Sequence, residues 1–360
     1  MGKRENRGAL LAVGGLGLLV GRALRARMKM ADLTGQVALV TGGSRGLGLL
    51  LAQEFACAGC KIAICARDTE ELARASDALR EDGATVLSVT CDVSDEAQVA
   101  AMIAQVTAHY GQVDILVNNA GQIAVGPVQE MTARDFGEMM NVIFWGTLHP
   151  TLAVLPQMRA RRSGRIVNIT SIGGKVSVPH LLPYSAAKFA TVGLSEGLRS
   201  ELARDGITVT TIAPGEMRTG SYINATFKGE QEREFAWFAL GDNLPFSSMD
   251  AEHAAQVIVA ATRRGEAERI LTAPAAIANL MHGIAPGFTA DVLSLVNRAI
   301  LPPPPGTGDG DAQERAGSMA VRGTEIEPRE GTVLQRLLRF GKSASRRFNE
   351  RGTVDLKAHE

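Results

Sequence analysis

The sequence predicts an α/β protein, a doubly wound parallel sheet in one domain with an extension at each end. Short apolar runs rich in β-branched residues recur along the chain, as buried parallel strands do. Helical stretches alternate with these runs, which is the order of βαβ units. The expected strands are residues 37–40, 62–65, 86–89, 115–117, 166–169, 209–212 and 269–272. The clearest helical stretches are residues 70–81, 96–110, 136–160 and 186–203.

A glycine-rich turn separates the first expected strand from the helical stretch that follows it. Unpaired N–H groups and the positive end of a helix favour an anion at a helix N-terminus, and glycine lets the backbone approach it closely. We therefore expect a dinucleotide pyrophosphate here. A lone glycine triplet is also typical of an ordinary βα turn, but the flanking strand and helix favour the binding site. The expected binding residues are Gly42, Ser44, Arg45, Gly46, Leu47 and Gly48.

Tyr184 and Lys188 form a candidate acid/base pair, with Ser171 thirteen positions before the tyrosine. A free phenol has a pKa of about 10, and a nearby cation favours its phenolate. Residues four apart share one face of a helix, so the ammonium of Lys188 is expected beside the phenol. Tyr-x-x-x-Lys by itself is more often a solvated helix face. Together with the glycine turn it indicates hydride chemistry between carbonyls and alcohols.

With Asn118-Asn119-Ala120-Gly121 and Pro214-Gly215 added, the chain resembles the short-chain dehydrogenase/reductase family over about residues 33–272. The resemblance implies a Rossmann fold in which Tyr184 is the general acid/base and Ser171 orients the carbonyl. It also implies that Lys188 lowers the pKa of the tyrosine and binds the nicotinamide ribose, so that Tyr184 and Lys188 contact the cofactor as well. Further implied cofactor contacts are Asp92 and Val93 at the adenine, Asn118, Ala120 and Gly121, and Pro214, Gly215 and Thr219 at the carboxamide.

One part of the family pattern is different. The family places an Asn three positions before a helical Gly, and here that position before Gly146 is Ile143. Asn141 lies two residues earlier, about 200° around a helix. The resemblance implies that the Asn acts largely through a helix distortion and its main-chain carbonyl, a role that an isoleucine can keep. A shift in alignment is the alternative, and neither residue is counted as catalytic.

The charge after the second strand predicts NADP(H) as the cofactor. An acid there is typical of NAD sites and an arginine of NADP sites. Ala66 takes the place of the acid, Arg67 follows it, and Arg45 supplies a second cation. Both arginines could instead be solvated surface residues. Asp68 lies one place late for an NAD site.

The predicted function is an NADP(H)-dependent oxidoreductase that interconverts a carbonyl and a secondary or primary alcohol. Aromatic residues are few, 4% of the chain, yet five cluster after Thr219: Phe227, Phe235, Trp237, Phe238 and Phe246. They predict either a lid over a lipophilic substrate or helix packing against the sheet. The alternatives are a 3-oxoacyl-carrier-protein ketoreductase and a non-catalytic NADP-binding scaffold or redox-sensing regulator.

Charge and cysteine content restrict the possible partners. Net charge is zero, with 38 basic and 38 acidic residues, so no global field favours nucleic acid. No metal site is expected: the pair Cys57 and Cys60 has redox spacing, but we interpret it as packing, and no second pair completes a zinc site. Lack of a disulfide framework predicts a cytoplasmic location. The resemblance adds a homo-oligomer, a dimer or a tetramer.

The chain is divided into four parts. Residues 1–30 carry seven Lys or Arg around an uncharged apolar stretch of twelve, either a membrane anchor or an incorrectly assigned start. Residues 31–273 are the catalytic domain, and 274–301 an apolar helical extension that could contact the substrate side, another subunit or a membrane. Residues 302–360 are Pro/Gly-rich and then basic, and we expect them to be disordered.

Overall fold

A seven-stranded parallel sheet forms the centre of the molecule, in the order β11-β7-β6-β4-β1-β2-β3. The computed structural model describes residues 30–243, 248–304, 320–326 and 347–349. All seven predicted strands are confirmed. Their bounds are β1 Val37–Thr41, β2 Lys61–Ala66, β3 Val86–Thr90, β4 Ile115–Asn118, β6 Gly164–Ile169, β7 Ile207–Pro214 and β11 Glu268–Leu271.

Helices cover both faces of this sheet because successive strand residues point to opposite sides. Val40 and Ile64 pack on one face with helices α1 and α8, whereas Leu39 and Cys65 pack on the other with α3 and α5. The helices are α1 Gly46–Cys57, α2 Thr69–Glu81, α3 Glu96–Tyr110, α4 Ala133–Met139, α5 Gly146–Ala160, α6 Leu182–Leu202, α7 Gln231–Asn243, α8 Ala251–Arg264, α9 Ala273–Ile284 and α10 Pro286–Ala299. The doubly wound fold is therefore confirmed.

The helix predicted at 136–160 is in fact two α-helices joined by a π-helical segment, Met140–Trp145. Its one wider turn shifts the face that α5 presents. The helix predicted at 186–203 begins earlier, at Leu182, since Pro183 fits the first turn of a helix without losing a hydrogen bond.

A small cap lies at the carboxyl end of the sheet and consists of α7 and short strand pairs. Its strands are β5 Ala124–Val125, β8 Met217–Arg218, β9 Thr226–Phe227, β10 Met249–Asp250 and β12 Val321–Arg322. Phe227, Phe235 and Phe238 are buried against Tyr222 and form a core inside this cap. The aromatic cluster is thus packing within the cap; Trp237 is partly buried there, and Phe246 lies outside the described residues.

The predicted apolar extension consists of α9 and α10, which form a hairpin broken at Ala285 and Pro286. Eight large apolar side chains of this hairpin are exposed: Ile277, Leu280, Met281, Ile284, Phe288, Val292, Leu295 and Ile300. Within the part of the chain that the structure describes, no helix is both long and apolar enough to cross a bilayer. Residues 1–29, where an anchor was predicted, lie outside that part.

Two short pieces of the C-terminal segment pack on the domain, which differs from the disorder predicted for residues 302–360. Val321 and Arg322 pair antiparallel with β9. Phe348 is only 4% exposed and belongs to the core beside α1 and α8. Burial of an aromatic side chain supplies the ordering free energy that composition alone does not reveal.

Candidate active site

The predicted site residues gather at one edge of the sheet, where the parallel strands end. The glycine turn follows β1, Arg67 follows β2, and Asp92 follows β3. Ala120 and Gly121 follow β4, Ser171 follows β6, and Pro214 is the last residue of β7. In open α/β sheets this carboxyl edge is where ligands bind.

The glycine turn is held against the loop after β4. A Cβ at Gly48 would lie 2.0 Å from the carbonyl oxygen of Gly42, and a Cβ at Gly42 would lie 2.9 Å from Cα of Ala120. Gly42 also has a φ of +63°, a conformation that favours glycine. The backbone therefore forms a close cradle at the N-terminus of α1, of the kind that receives a pyrophosphate. These residues fit a dinucleotide.

Asn119 fixes this cradle. Its side-chain amide donates hydrogen bonds to the carbonyl oxygens of Thr41 and Gly42, at 3.0 and 3.1 Å. The hydroxyl of Thr41 in turn accepts the backbone N–H of Asn119 and of Ala120. Asn119 was not among the predicted binding residues, although it lies inside the motif that was recognised.

Ser44 and Arg45 are both bound by Glu71 of α2. Arg45 Nη1 lies 2.9 Å from Glu71 Oε1, and Ser44 donates its hydroxyl to Glu71 Oε2 at 3.2 Å. The side chain of Glu71 is 8% exposed and that of Arg45 is 36% exposed. Arg45 was predicted to bind the cofactor, and the buried carboxylate of Glu71 orients it. Glu71 was not among the residues predicted from the sequence.

At the end of β2, Arg67 is exposed and lies 3.8 Å from the carboxylate of Asp92. Asp68, the alternative acid for an NAD site, instead caps α2 by accepting the N–H groups of Glu70 and Glu71. Its carboxylate is therefore committed to the helix. Arg45 and Arg67, the two arginines predicted to bind the cofactor, both lie on this side of the cradle.

Ser171, Tyr184 and Lys188 meet around the loop that follows β6. A Cβ placed on Gly173 would lie 3.2 Å from the Tyr184 ring and 3.4 Å from Ser171 Oγ, so both side chains border this position. Lys188 Nζ lies 5.6 Å from the centroid of the Tyr184 ring. Ser171 Oγ accepts the N–H of Gly173 at 3.0 Å. The three predicted residues are thus brought together.

Lys188 is buried, with 5% of the residue exposed, and donates to the carbonyl oxygen of Ile169 at 2.8 Å. Burial lowers the pKa of Lys188 to about 8, because the charged ammonium loses hydration. A lysine of this kind can change its protonation near neutral pH and can favour a phenolate beside it.

The π-helical segment brings Ile143, and not Asn141, to the active site. Ile143 is 1% exposed and packs in the cluster that includes Tyr184, whereas Asn141 is exposed. The carbonyl oxygen of Ile143 accepts the hydroxyl of Thr147 at 2.8 Å. The helix distortion that the resemblance implied is present as a π-helical segment.

The side chains of Asn118 and Val93, two of the expected cofactor contacts, are buried in the interior, which leaves only their main chains for a cofactor. The Asn118 amide donates to Thr151 and to Asn168, and Asn168 continues to Ser195, so this buried chain links β4, β6, α5 and α6. Val93 packs into the core with α3. Asn118 is the last residue of β4 and Val93 lies in the loop after β3, and both side chains point into the interior.

The nicotinamide side of the predicted site follows β7. Gly215 donates its N–H to the carbonyl oxygen of Leu271, which fixes this turn beside β11. Thr219 is buried, and its hydroxyl accepts the N–H of Ser221. Pro214, Gly215 and Thr219 therefore border the same edge as Ser171.

A family model described as short chain dehydrogenase matches residues 36–228 of the chain. The chain belongs to the short-chain dehydrogenase family. The ketoacyl reductase named for the granaticin polyketide synthase of Streptomyces violaceoruber is 43% identical over 185 residues, 51% of this chain and 68% of the relative. SadH of Mycobacterium tuberculosis, named as an oxidoreductase, is 36% identical over 245 residues, 67% and 88% of the two chains.

Solved structures agree with this membership. Actinorhodin polyketide ketoreductase with NADPH superposes with a TM-score of 0.59 at 32% identity, over 68% of this chain and 98% of that one. A short-chain dehydrogenase from Streptomyces avermitilis gives 0.64 at 33% identity, over 73% and 98%. This short-chain dehydrogenase is accordingly an oxidoreductase that interconverts carbonyl and alcohol groups of small molecules.

A cavity of about 280 Å³ lies between the loop after Ser171 and the α9–α10 hairpin of this short-chain dehydrogenase. Val176 and Pro179 line one side, and His282, Ala290 and Leu293 line the other. The α9–α10 hairpin therefore packs against the loop that precedes Tyr184.

His180 and Glu234 are further residues that the sequence analysis missed. His180 Nδ1 lies 2.8 Å from Glu234 Oε1, and Trp237 donates its indole N–H to Glu234 Oε2. Glu234 is fully buried, and His180 has a φ of +63°, which is unusual for a side chain of its size. This contact ties α7 to the loop that precedes Tyr184, and no local pattern in the sequence indicates it.

The cysteines form no disulfide bond. All four are free thiols, and burial raises the pKa of Cys60 to about 12, so this thiol remains protonated and unreactive. Among the described residues no group of three or more His, Cys, Asp or Glu side chains could hold a metal ion.

Proposed function

We propose that this short-chain dehydrogenase is an NADPH-dependent reductase of lipophilic carbonyl compounds, with Ser171, Tyr184 and Lys188 as its catalytic residues. The observation that carries the proposal is the buried Lys188 ammonium 5.6 Å from the Tyr184 ring, at the edge that also holds the glycine cradle. A bound nicotinamide supplies the hydride in reduction and accepts it in oxidation.

The three side chains divide the remaining work. The hydroxyl of Ser171 donates to the carbonyl oxygen of the substrate and orients it. Tyr184 gives its phenolic proton to that oxygen in reduction and takes it back in oxidation. Lys188 provides the positive charge that favours the phenolate and binds the cofactor ribose. Ile143 packs in the cluster that includes Tyr184, and we propose that its main-chain carbonyl, which accepts the Thr147 hydroxyl, serves where other family members have Asn.

The preference for NADPH rests on Arg45 and Arg67, with Asp68 used as a helix cap and Ala66 in place of an acid. An arginine matches a 2′-phosphate in charge and in fork geometry. Relatives support the proposal, since the actinorhodin ketoreductase was solved with NADPH.

Tyr184→Phe tests the mechanism. We expect turnover of NADPH with a panel of aliphatic, steroid-like and quinone carbonyls to fall by at least about 100-fold, the usual contribution of a positioned acid. NADPH binding, measured by nicotinamide fluorescence, should remain. Tyr110→Phe is the control, because Tyr110 bonds to Ile62 away from the site. Full activity in Tyr184→Phe would contradict the proposed roles.

A lipophilic substrate is supported by the apolar residues Val176, Pro179, Ala290 and Leu293, which line the cavity together with Ser177, His282, Ser294 and Asn297. The exposed apolar hairpin beside the cavity supports it as well. The same carbonyl panel tests this: kcat/KM should rise with the apolar area of the substrate. Equal kcat/KM for short polar and long apolar carbonyls would contradict it.

An acyl-carrier-type ketoreductase is the second candidate, favoured by the relatives named as ketoacyl reductases. A 3-oxoacyl group tested on a carrier protein and as a free thioester distinguishes the two functions. Preference for the carrier-bound form would support the second candidate. A non-catalytic scaffold would bind NADPH and turn over none of these compounds.

We also infer a membrane surface on the cytoplasmic side as a partner. The basic residues around the apolar stretch at 9–20 would attract anionic lipid, and the α9–α10 hairpin exposes apolar side chains. The full chain should sediment with membranes more than a chain starting at Met30. Equal solubility of the two would remove the N-terminal segment from this role.

A further inference from the structure

The C-terminal residues Phe348 and Asn349 contact the glycine turn directly, 305 positions after it in the sequence. The carbonyl oxygen of Phe348 accepts the N–H of Gly46 at 2.8 Å. Gly46 begins α1, and the first N–H groups of a helix have no acceptor within the helix. The C-terminal segment thus provides an acceptor for the N–H group of Gly46. The N–H groups of the next two residues have no acceptor within the helix.

Asn349 joins the turn to α2. Its side-chain amide donates to the carbonyl oxygen of Ser44 at 2.8 Å and to that of Glu71 at 3.1 Å. Its side-chain oxygen accepts Nε of Arg74 at 3.2 Å. All the polar atoms of this side chain are therefore used, and its φ of +56° is one that Asn tolerates better than most residues.

Two neighbouring contacts anchor the segment. The Phe348 ring is buried in the core beside α1 and α8. Arg347 forms an ion pair with Glu252 of α8 and lies over the Phe348 ring. A buried aromatic ring on one side and three hydrogen bonds on the other hold Asn349 in a single position.

Asn349 holds Glu71, and Glu71 in turn orients Arg45. The amide of Asn349 ties the backbone of Glu71 to the backbone of Ser44, and the Glu71 carboxylate then receives the Ser44 hydroxyl and the Arg45 guanidinium. A guanidinium has five N–H donors, so one arginine can hold a carboxylate and a phosphate together.

We propose that Asn349 is a positioning residue for cofactor selectivity: through Glu71 it sets the Arg45 side chain for the 2′-phosphate of NADPH. This inference rests on the proposed role of Arg45 in the cofactor site. Loss of Asn349 removes the backbone link between α2 and the glycine turn, so the Glu71 carboxylate and the Arg45 side chain are held less firmly. Binding of the 2′-phosphate is therefore weakened, whereas the pyrophosphate still contacts the unchanged backbone of α1.

The test compares full-length Asn349→Ala with the parent. Dissociation constants are measured for NADPH and NADH by nicotinamide fluorescence, and for 2′,5′-ADP and 5′-AMP by competition. We expect Asn349→Ala to weaken NADPH and 2′,5′-ADP about fivefold to tenfold, the effect of losing one or two hydrogen bonds. NADH and 5′-AMP should change by less than about twofold. Gln53→Ala is the control, since it removes an exposed amide contact of α1 away from the turn.

A double-mutant cycle with Glu71→Gln shows whether the effect passes through this carboxylate. Glu71→Gln should lower the NADPH preference on its own, and Asn349→Ala should add little to it. Circular dichroism and thermal unfolding establish that each variant is folded. If Asn349→Ala does not fold, Asn349→Asp replaces it, because aspartate keeps the acceptor for Arg74.

The outcomes are distinct. An unchanged ratio of NADPH to NADH affinity in a folded Asn349 variant would overturn the inference and leave only a structural brace. Tighter binding of both cofactors would overturn it as well, because the segment would then compete with the nucleotide. Preference of the parent itself for NADH and 5′-AMP would instead refute the proposed NADPH function.

Discussion

Lys188, which we propose to be catalytic, carries a cost in stability that depends on pH. Its pKa is lowered to about 8 in the folded chain by burial, and it is about 10.4 in an unfolded one. Between these values the unfolded state binds one more proton, so the stability of the parent rises with pH there. Below about pH 8 both states are protonated and the cost is fully present.

We therefore expect the free energy of unfolding of the parent, relative to Lys188→Met, to increase by about 2 kcal/mol from pH 7.5 to 9.5. Urea unfolding of both proteins at several pH values measures this difference. The contributions of the other titrating groups cancel, because both proteins contain them. Lys61→Met is the control for replacing a lysine as such, because Lys61 is exposed. A difference for Lys188→Met that stays constant with pH would mean that Lys188 is not held as a buried cation.

Sequence alone indicates some site residues and not others for a physical reason. Tyr184 and Lys188 lie on one turn of one helix, so their spacing predicts their contact. Glu71 and Asn349 act through partners that only the folded chain brings near, and nothing within a few residues of either one signals it. Asn118 shows the opposite case, because a recognised motif did not reveal which way its side chain points.

At the level of elements, the close contact between the start of α1 and the glycine turn predicts a sharp intolerance to one methyl group. Gly48→Ala places a Cβ 2.0 Å from the Gly42 carbonyl, so we expect a loss of about 1–3 kcal/mol in stability and at least about tenfold in NADPH affinity. Gly137→Ala, in α4 with no atom within 4 Å, should gain about 0.5–1 kcal/mol.

Urea unfolding and cofactor fluorescence measure both variants. Parent-like NADPH affinity in Gly48→Ala would show that this turn does not approach the cofactor. Comparing Gly48→Ala with Gly137→Ala separates the general effect of adding a methyl group to a helix from its effect at the glycine cradle.

The elements differ in how far the sequence specifies them. Strands β1 to β4 were predicted because continuous apolar runs between turn residues are characteristic of buried parallel strands. The two-residue strands of the cap, such as Thr226–Phe227, are too short to carry a period. The π-helical segment was not visible in the pattern of residues 136–160, because one wider turn leaves the apolar spacing on both sides intact.

For the whole molecule, we propose a homo-oligomer assembled through α5 and α6. Trp145 at the end of the π-helical segment, Leu152 of α5 and Phe189 of α6 are large apolar residues that remain exposed. Leu152→Glu should therefore convert a dimer or tetramer to a smaller species in light scattering coupled to size exclusion. Val128→Glu is the matched control, since Val128 and Leu152 are each 52% exposed. An unchanged mass for Leu152→Glu would exclude this face.

The contact between Phe348 and Gly46 links the order of synthesis to the completion of the nucleotide pocket. A ribosome adds about 5–20 residues per second, so the glycine turn is made roughly 15–60 seconds before Asn349, which lies 305 positions after Ser44. The nascent chain can form the first strands and helices of the sheet during this interval. Its first βα turn nevertheless waits for a segment that is made after all seven strands of the sheet, so a chain that stalls between Leu271 and Phe348 has every strand of the sheet but lacks this contact at the cofactor site.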